Sequence, residues 1–273
     1  MAVKVNAKQQ ADFEKLAKSD PEMAGKVRSA MKVMNGLPFS IEAGMVQVKV
    51  AIDVSGSMQS RYRSGEVQNL LEQFAAVAFL FDDNGALQVY PFDEGVYRDG
   101  QKHPYRGGKI SLPEMTLENY KGYVEKYLVD LVYDGTNYAP AIEAVVEELS
   151  AGGVSFCGFY TDGQNADRSD AEKAIREASR YPLFFQFGAM GNRMSDFPFL
   201  HKLDDLSGRK LDNAGVYLAK TGMDDQAMMR QLIAEFAGID PVTGEHKGKS
   251  YPEKARDAGL IDANFKWDGR SKL

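Results

Sequence analysis

The chain is poor in the residues that build disulfide frameworks and metal clusters, since its 273 residues include one cysteine and three histidines. The single Cys157 excludes an intramolecular disulfide framework, and its apolar surroundings predict a small buried side chain rather than a reactive thiol. No apolar run approaches membrane-spanning length, and residues 1–10 lack the apolar core of a signal peptide. We therefore expect a cytoplasmic protein without a membrane-spanning segment.

An excess of positive charge is also missing. The 33 lysines and arginines are outnumbered by 39 aspartates and glutamates, which gives a formal net charge of −6. This balance argues against general binding to nucleic acids or to acidic membranes. Because 44% of the residues are hydrophobic, the chain is able to bury a substantial core.

The chain shows a regular alternation of strand and helix patterns. Apolar strand-like segments lie at residues 46–52, 86–92, 154–161, 183–187 and 215–219, and amphipathic helical segments separate them. Such alternation predicts an α/β fold with a doubly wound, mostly parallel central sheet and helices on both of its faces.

Three smaller elements complete the predicted fold. Residues 96–98 predict one short antiparallel edge strand beside the second strand. Apolar residues at steps of three and four predict one amphipathic helix over residues 117–131. Ser169 and Glu172 predict a capping box at the start of a later helix.

The first predicted strand ends in a carboxylate that small hydroxyl residues follow. Asp53, Ser55 and Ser57 stand at alternate positions, so one tight turn holds three oxygen donors. Thr136 precedes a predicted helix and Asp162 directly follows the central strand. Hard divalent cations prefer oxygen ligands on short side chains. Each segment alone is equally typical of an ordinary polar turn, but the carboxyl ends of parallel strands meet at one rim.

Together, these five positions resemble the metal-ion-dependent adhesion site (MIDAS) of von Willebrand factor A (VWA) domains. That family uses Asp-x-Ser-x-Ser after its first strand, a distant Thr before a helix, and an Asp after a central strand. The resemblance implies that the hydroxyls of Ser55, Ser57 and sometimes Thr136 contact Mg²⁺, while Asp53 and Asp162 act largely through bound water. It also implies an open coordination position for a carboxylate of a partner protein. Mn²⁺ and Ca²⁺ are alternatives to Mg²⁺.

Six further segments carry a second resemblance: residues 64–68, 117–120, 135–140, 184–187, 211–215 and 235–236. They are similar to the bacterial and phage VWA proteins that are associated with resistance to tellurium and toxic cations. This resemblance runs from about Val46 to Phe236. We accordingly predict a helical N-terminal extension at residues 1–43, a VWA domain at 44–238 and a C-terminal tail at 239–273. The extension is expected to pack on the domain, with an interaction arm as the alternative. For the tail, a flexible segment is favoured over a docking segment.

A metal-dependent protein-binding module is the leading functional hypothesis. Without metal, Asp53 and Asp162 would share a rim and repel each other, and a divalent cation would remove that repulsion. A Mg²⁺-dependent hydrolase at the same site is the second hypothesis. Against it, His103, His201 and His246 stand apart from the motifs, and the sequence has no phosphate-binding loop or nucleophile elbow. We therefore expect no enzyme activity.

A sensor or buffer for toxic cations is the third hypothesis. Soft metal species favour several Cys or Met donors. Cys157 is alone, and the 12 methionines mostly follow the spacing of helix packing positions. Direct chelation by soft donors is therefore disfavoured.

Two charged pairs lie close to the motif segments. Asp93 and Glu94 end the second predicted strand, where a solvated turn is favoured over a second acidic pair at the metal rim. Arg61 and Arg63 follow the metal loop, where a solvated connection is favoured over a basic flank that attracts an acidic partner.

Overall fold

The computed structural model describes residues 5–37, 44–82, 84–133, 135–220 and 222–273. Within these residues, five strands form one fully parallel sheet with the spatial order β2-β1-β3-β4-β5. The strands are β1 (Val46–Asp53), β2 (Gln88–Phe92), β3 (Val154–Thr161), β4 (Leu183–Ala189) and β5 (Ala214–Leu218). The predicted doubly wound α/β architecture is confirmed.

Ten α-helices precede, connect and follow the strands in the same described ranges. They are α1 (Ala7–Ser19), α2 (Pro21–Asn35), α3 (Gln59–Arg63), α4 (Glu66–Phe81), α5 (Tyr123–Tyr127), α6 (Ala139–Glu147), α7 (Arg168–Ala178), α8 (Pro198–Asp204), α9 (Asp225–Ala237) and α10 (Tyr251–Asp257). None of the helices in the described part of the chain is long and apolar enough to cross a membrane.

Each face of the sheet buries its own core. Phe156 and Tyr160 of β3 belong to the core that α2, α4, α9 and α10 cover, whereas Phe159 belongs to the core under α6, α7 and α8. Successive strand residues point to opposite faces. Because helices cover both faces, all eight positions of β3 are buried, and its sequence is a continuous apolar run rather than an alternating one.

The register of the strands brings the predicted metal ligands to one edge. Asp53, the last residue of β1, pairs with Phe92 of β2, and Ile52 pairs with Tyr160 of β3. Asp162 follows the end of β3, so it lies at the same carboxyl edge as Asp53. The topology therefore positions the two carboxylates that the sequence motif requires.

Two local predictions are wrong. Residues 96–98 do not form an edge strand, because Val96 makes only an isolated antiparallel bridge to Phe92. The helix predicted over residues 117–131 is reduced to α5 and a short 3₁₀ turn. Gly122 stands directly before α5 with a φ of 64°, a left-handed conformation that interrupts a continuous helix.

The capping box predicted at Ser169 and Glu172 is also absent. Helix α7 begins at Arg168, and its N-cap residue Asp167 makes no side-chain cap of that helix. The Asp167 carboxylate instead accepts hydrogen bonds from the backbone amides of Tyr138 and Ala139, at 2.9 and 2.7 Å. It thereby satisfies the first amides of α6, the helix that follows the Thr136 loop.

The C-terminal tail packs on the domain, contrary to the flexible segment that we expected. Tyr251 of α10 is 1% exposed, and Trp267 is 6% exposed. Trp267 forms an isolated antiparallel bridge with Gly152, at the entrance of β3. The polar composition of this segment suggested flexibility because only a few apolar residues hold it on the domain. The division of the chain at residues 44 and 238 stays a prediction, and residues 1–4 and 38–43 lie outside the described ranges.

Candidate metal centre

Asp53 is the buried anchor of the predicted site. Its side chain is fully buried, and each of its carboxylate oxygens accepts a hydrogen bond. The backbone amide of Ser55 donates to Oδ1 at 2.7 Å, and the Thr161 hydroxyl donates to Oδ2 at 2.6 Å. Burial raises the pKa of Asp53 to about 6, while the bonds from Ser55 and Thr161 oppose that rise. The carboxylate is thus held in one orientation beside the turn.

Hydroxyl groups connect this anchor to the exposed rim. The Oγ atoms of Ser55 and Ser57 lie 3.2 Å apart, and Ser57 Oγ donates to Asp162 Oδ1 at 2.6 Å. Ser55 is buried, Asp162 is half-buried and Ser57 is exposed. The structure therefore brings Asp53, Ser55, Ser57 and Asp162 together in one polar chain that opens to solvent.

Thr136 lies in the loop that closes over the motif turn. Its backbone carbonyl accepts a hydrogen bond from Ala166 at 3.0 Å, which ties it to the segment after Asp162. Within the described residues, its hydroxyl makes no hydrogen bond to the other four predicted ligands. The backbone thus brings Thr136 to the neighbourhood of the site, while its side chain stays outside the polar chain.

Gly56 allows the two loops to approach each other. The backbone amide of Tyr133 donates to the Val54 carbonyl at 3.0 Å. A Cβ atom on Gly56 would lie only 2.9 Å from the Tyr133 carbonyl oxygen. The absence of a side chain at this position therefore lets the Thr136 loop lie against the Asp-x-Ser-x-Ser turn.

Arg61 contacts the site directly, so the solvated loop that we favoured is wrong for this residue. Its side chain is 22% exposed, and its Nε lies 3.3 Å from Asp162 Oδ2. The same guanidinium pairs with Glu66 at 2.9 Å and donates to the Met190 carbonyl. Arg63, in contrast, is exposed. Arg61 therefore places positive charge on the Asp162 side of the site.

Two residues that the sequence motif did not indicate orient the ligands. Thr161 donates to Asp53, as described above, and the Tyr138 hydroxyl donates to the Gly163 carbonyl at 2.8 Å and toward Thr161 Oγ1 at 3.4 Å. Tyr138 is 1% exposed. The position of Thr161 at a strand end, one residue before Asp162, was the only sequence signal for this role.

Asp93 is part of a buried hydrogen-bond cluster rather than of a solvated turn. It is 4% exposed and accepts hydrogen bonds from the Tyr97 hydroxyl and, at 3.3 Å, from the Tyr105 hydroxyl. Its backbone carbonyl accepts from Asn137 at 2.7 Å. Asp93 therefore supports the Thr136 loop from the β2 side, and its carboxylate is occupied by tyrosines.

An exposed aromatic pair borders the site on that same side. Tyr105 and Tyr133 are 40% and 69% exposed, and their ring centroids lie 4.5 Å apart. In the described ranges, the only other large apolar side chain of comparable exposure is Val242. The candidate centre thus has Arg61 beside Asp162 and an exposed tyrosine pair beside the motif turn.

The donor set fits a hard divalent cation. It consists of hydroxyl and carboxylate oxygens on short side chains, which is the chemistry that Mg²⁺, Mn²⁺ and Ca²⁺ accept. Nowhere in the described ranges do three or more His, Cys, Asp or Glu side chains form a group that could hold a metal ion. Any cation at this site would therefore depend on the serine and threonine hydroxyls and on water.

Comparison with solved structures finds a limited similarity to two known proteins. Proximal thread matrix protein 1 from the mussel byssus matches 69% of this chain and 48% of its own, with 13% identity and a TM-score of 0.46. A second structure of that protein, with a zinc-occupied MIDAS motif, matches with a TM-score of 0.42. The human COPII-coat protein Sec24c matches 70% of this chain and 32% of its own, with 14% identity and a TM-score of 0.38. This chain therefore spans about half or less of those proteins.

Sequence comparison gives a closer relationship. The protein YcbR of Bacillus subtilis (strain 168) is 32% identical over 202 residues, which cover 70% of this chain and 75% of that protein. The profile of the family described as the VWA domain found in the TerF C terminus matches residues 45–239. That range contains the whole central sheet and every helix from α3 to α9. The chain belongs to this TerF-like family of VWA domains.

Proposed function

We propose that this chain is a divalent-cation-dependent protein-binding module, with Mg²⁺ as the preferred cation. One observation carries the proposal: a single polar chain runs from the buried Asp53 through Ser55 and Ser57 to Asp162 at the exposed rim. Asp53, Ser55, Ser57, Thr136 and Asp162 would hold the cation. When bound, the cation supplies an open coordination position for a carboxylate of a partner protein.

The predicted ligands have different roles in forming the site. Asp53 is fixed by Ser55 and Thr161, so its negative charge is available without rearrangement. Ser57 and Asp162 bond each other at 2.6 Å. These two side chains would exchange that bond for contacts to a cation or to its water. The Thr136 hydroxyl makes no hydrogen bond to the other predicted ligands in the described residues, and its loop lies against the motif turn.

Two flanking features favour an acidic partner. Arg61 contributes positive charge beside Asp162, which attracts a carboxylate and disfavours a basic ligand. Tyr105 and Tyr133 offer an exposed aromatic surface beside the motif turn. Aromatic side chains are enriched at protein interfaces because they bury a large area at a low cost in conformational entropy.

We propose a binding rather than a catalytic role. His103, the histidine nearest in sequence to the aromatic pair, accepts hydrogen bonds at Nδ1 from the amides of Tyr105 and Arg106. No described contact of His201 or His246 reaches the five predicted ligands. Membership of the TerF-like family supports a role in the response to tellurium or other toxic cations, without direct chelation. Burial raises the pKa of the Cys157 thiol to about 12, which makes it a poor soft-metal ligand.

Binding of Mn²⁺ and of blocked peptides tests the proposal. Mn²⁺ binding, followed by electron paramagnetic resonance, should be lost or weakened at least about tenfold in Ser57→Ala, because a hydroxyl ligand is removed. Ser60→Ala is the matched control, since Ser60 is an exposed serine three residues along the same segment. With Mg²⁺, a blocked Gly-Asp-Gly peptide should perturb amide resonances around the site, and Gly-Asn-Gly should not.

Three results decide between the possibilities. Metal binding with a response to the Asp peptide alone supports the full proposal. Metal binding with equal responses to both peptides would remove the carboxylate-recognition part. Absence of metal binding by the intact chain, with and without the Asp peptide, would contradict the metal centre itself.

A further inference from the structure

A cavity of about 360 Å³ lies far along the sheet from β1, at the edge that β5 forms. Its walls come from β4 and β5, from α9, and from the C-terminal tail with α10. This volume is within the range of natural small-molecule sites. We call it the Glu235 cavity, after the carboxylate of α9 that lines it together with Gln186 of β4.

Three segments that the metal centre does not use meet at this cavity. They are residues 184–187, 211–215 and 235–236, which also carry part of the family resemblance. Gln186 pairs with Gly215 in the register of β4 and β5. A Cβ atom on Gly215 would lie 2.2 Å from Glu235 Oε2 and 3.2 Å from Gln186 Nε2. The missing side chain thus makes room for a carboxylate directly on the sheet.

The polar groups in the cavity lack partners. Gln186 is 1% exposed, and its Oε1 has no hydrogen-bond partner among the described residues. Nothing in the described ranges donates a hydrogen bond to the Glu235 carboxylate either. A buried acceptor without a donor costs free energy that native proteins normally avoid. A ligand that donates hydrogen bonds would satisfy both Gln186 Oε1 and the Glu235 carboxylate.

The surroundings of Glu235 are net acidic. Burial is the largest cause that raises the pKa of its carboxyl, and the charges of Asp204 and Asp212 add to it. Lys254 and Arg209 act in the opposite direction, with smaller effects. Together they raise this pKa to about 8. A positive charge placed against Glu235 would therefore be stabilised.

The lysines of the cavity are already paired and do not supply that charge. Lys247, Lys249 and Lys254 line the cavity, and each lies near its own aspartate. The pairs are Lys247–Asp240 at 2.8 Å, Lys249–Asp257 at 2.7 Å and Lys254–Asp212 at 3.4 Å. Glu235 is therefore the lining carboxyl that has no ion-pair partner among the described residues.

We propose that the Glu235 cavity binds a small aliphatic amine, whose ammonium group donates to the Glu235 carboxylate and to Gln186 Oε1. An ammonium carries three donors and no acceptor, which complements this pair of acceptors. Its methylene groups would lie against Val216, Ile239 and Pro241 of the cavity wall. A metal ion fits less well, because Glu235 supplies the one carboxylate among the described lining residues and metal sites require more ligands.

Calorimetric titration with n-butylamine and putrescine tests this proposal, with n-butanol as the neutral control of similar shape. The full chain is titrated at pH 7 in the presence of EDTA, so the metal centre takes no part. Both amines should bind saturably, and n-butanol should not. The bound ammonium favours the ionised form of Glu235, which releases its proton to the buffer, so the heat should differ between phosphate and HEPES, which differ in ionisation enthalpy.

Variants locate the site. Glu235→Gln should weaken amine binding about tenfold or more, because a charge-assisted hydrogen bond is lost. Gln186→Leu should weaken it to a smaller extent, and Glu245→Gln, which changes an exposed carboxylate of the tail, should leave it unchanged. Glu235→Gln removes a half-buried ionisable group that has no hydrogen-bond donor in the described residues, so this variant is expected to fold.

Several results would contradict amine binding in the Glu235 cavity. Absence of saturable amine binding, equal binding of n-butanol, or unchanged binding by Glu235→Gln would each overturn the proposal. Competition by Mg²⁺ or Ca²⁺ in a parallel titration without EDTA, retained in Ser57→Ala, would replace the amine by an inorganic cation. Amine binding that persists in Asp53→Asn would show that the two sites are independent.

Discussion

The metal centre and the Glu235 cavity both collect oxygen acceptors against the same parallel sheet, but their hydrogen bonding differs. At the metal centre, Ser57 donates to Asp162 and Thr161 donates to Asp53, so each carboxylate has a partner. In the cavity, Gln186 Oε1 has none among the described residues. Hydroxyl side chains at the first site both donate and accept, whereas an amide oxygen beside a carboxylate only accepts.

This difference has consequences for the empty state of each site. A hydroxyl-rich site can exist without its cation, because the hydroxyls satisfy the carboxylates until a cation replaces them. A carboxylate without a hydrogen-bond donor can lower its cost by taking up a proton, and the raised pKa of Glu235 is in the direction this requires. We therefore expect the metal centre to respond to added cation and the cavity to respond to pH.

Removal of divalent metal should have the largest effect on stability. Mg²⁺ at about a hundredfold over its Kd should add about 2.7 kcal/mol to the unfolding free energy, and EDTA should abolish this gain. For a chain of this size, the melting temperature should fall by roughly 5 to 10 °C. Asp53→Asn should melt at the same temperature with Mg²⁺ and with EDTA. Asp196→Asn, at an exposed position, should keep the full difference.

Replacing Glu235 by Gln should have the next largest effect on the unfolding free energy, and this effect should depend on pH. The carboxyl has a pKa near 4.5 when unfolded and about 8 in the folded chain. Its contribution is most favourable below pH 4.5, where both states are protonated, and is lost as the pH rises toward 8. At pH 7, Glu235→Gln should therefore be more stable than the native chain by about 2 kcal/mol, after allowance for partial exposure. Equal stability of the two chains from pH 5 to 8 in urea titrations would contradict the acidic cavity.

Gly56→Ala should disturb the metal centre without removing a ligand. The added Cβ would lie 2.9 Å from a backbone oxygen of Tyr133, so the Thr136 loop must move. We expect a loss of about 1 to 2 kcal/mol in EDTA, together with a smaller stabilisation by Mg²⁺. Gly95→Ala is the matched control, because nothing lies within 4 Å of its Cβ position. Urea unfolding of both variants measures the difference, and equal losses would mean that the contact is unimportant.

Arg61→Met should change metal affinity and stability in opposite directions. The guanidinium pairs with Asp162 and Glu66, so its removal should lower the unfolding free energy in EDTA by about 1 kcal/mol. The same change removes a positive charge beside the cation, so Mn²⁺ affinity should rise a few-fold. Arg63→Met, at the neighbouring exposed arginine, should do neither. A fall in Mn²⁺ affinity would mean that Arg61 is needed to hold Asp162 in place.

Sequence patterns were sufficient for the sheet and for the ligands on its rim. A parallel strand that is buried on both faces has a largely apolar sequence, and β3 and β4 showed it. Asp53 and Asp162 end or follow such strands, so their proximity followed from topology. Helix boundaries set by one backbone angle, such as that at Gly122, could not be read from apolar spacing.

Long-range contacts could not be derived from local patterns. Asp167 stands two residues before the predicted helix start at Ser169, yet its carboxylate caps α6 instead of α7. Arg61 stood in an apparently solvated loop, yet it reaches Asp162, about a hundred residues away in the chain. The same limit applies to exposure, because tyrosines that line a core and tyrosines that border a site look alike in sequence. Tyr133 became a candidate contact residue only when its exposure was known.

Tyr133→Ser should therefore have the smallest effect on the molecule itself and a selective effect on binding. With Mg²⁺ present, the intact chain should bind a blocked Gly-Asp-Trp peptide about three- to tenfold more tightly than Gly-Asp-Gly, because the indole packs on the exposed tyrosine pair. Tyr133→Ser should lose this preference, while Mn²⁺ affinity stays unchanged and stability changes by less than about 0.5 kcal/mol. Val242→Ser is the matched control, since Val242 is 76% exposed and lies on the C-terminal tail. If Tyr133→Ser kept the preference for Gly-Asp-Trp, the indole would pack elsewhere and the tyrosine pair would have no part in partner recognition.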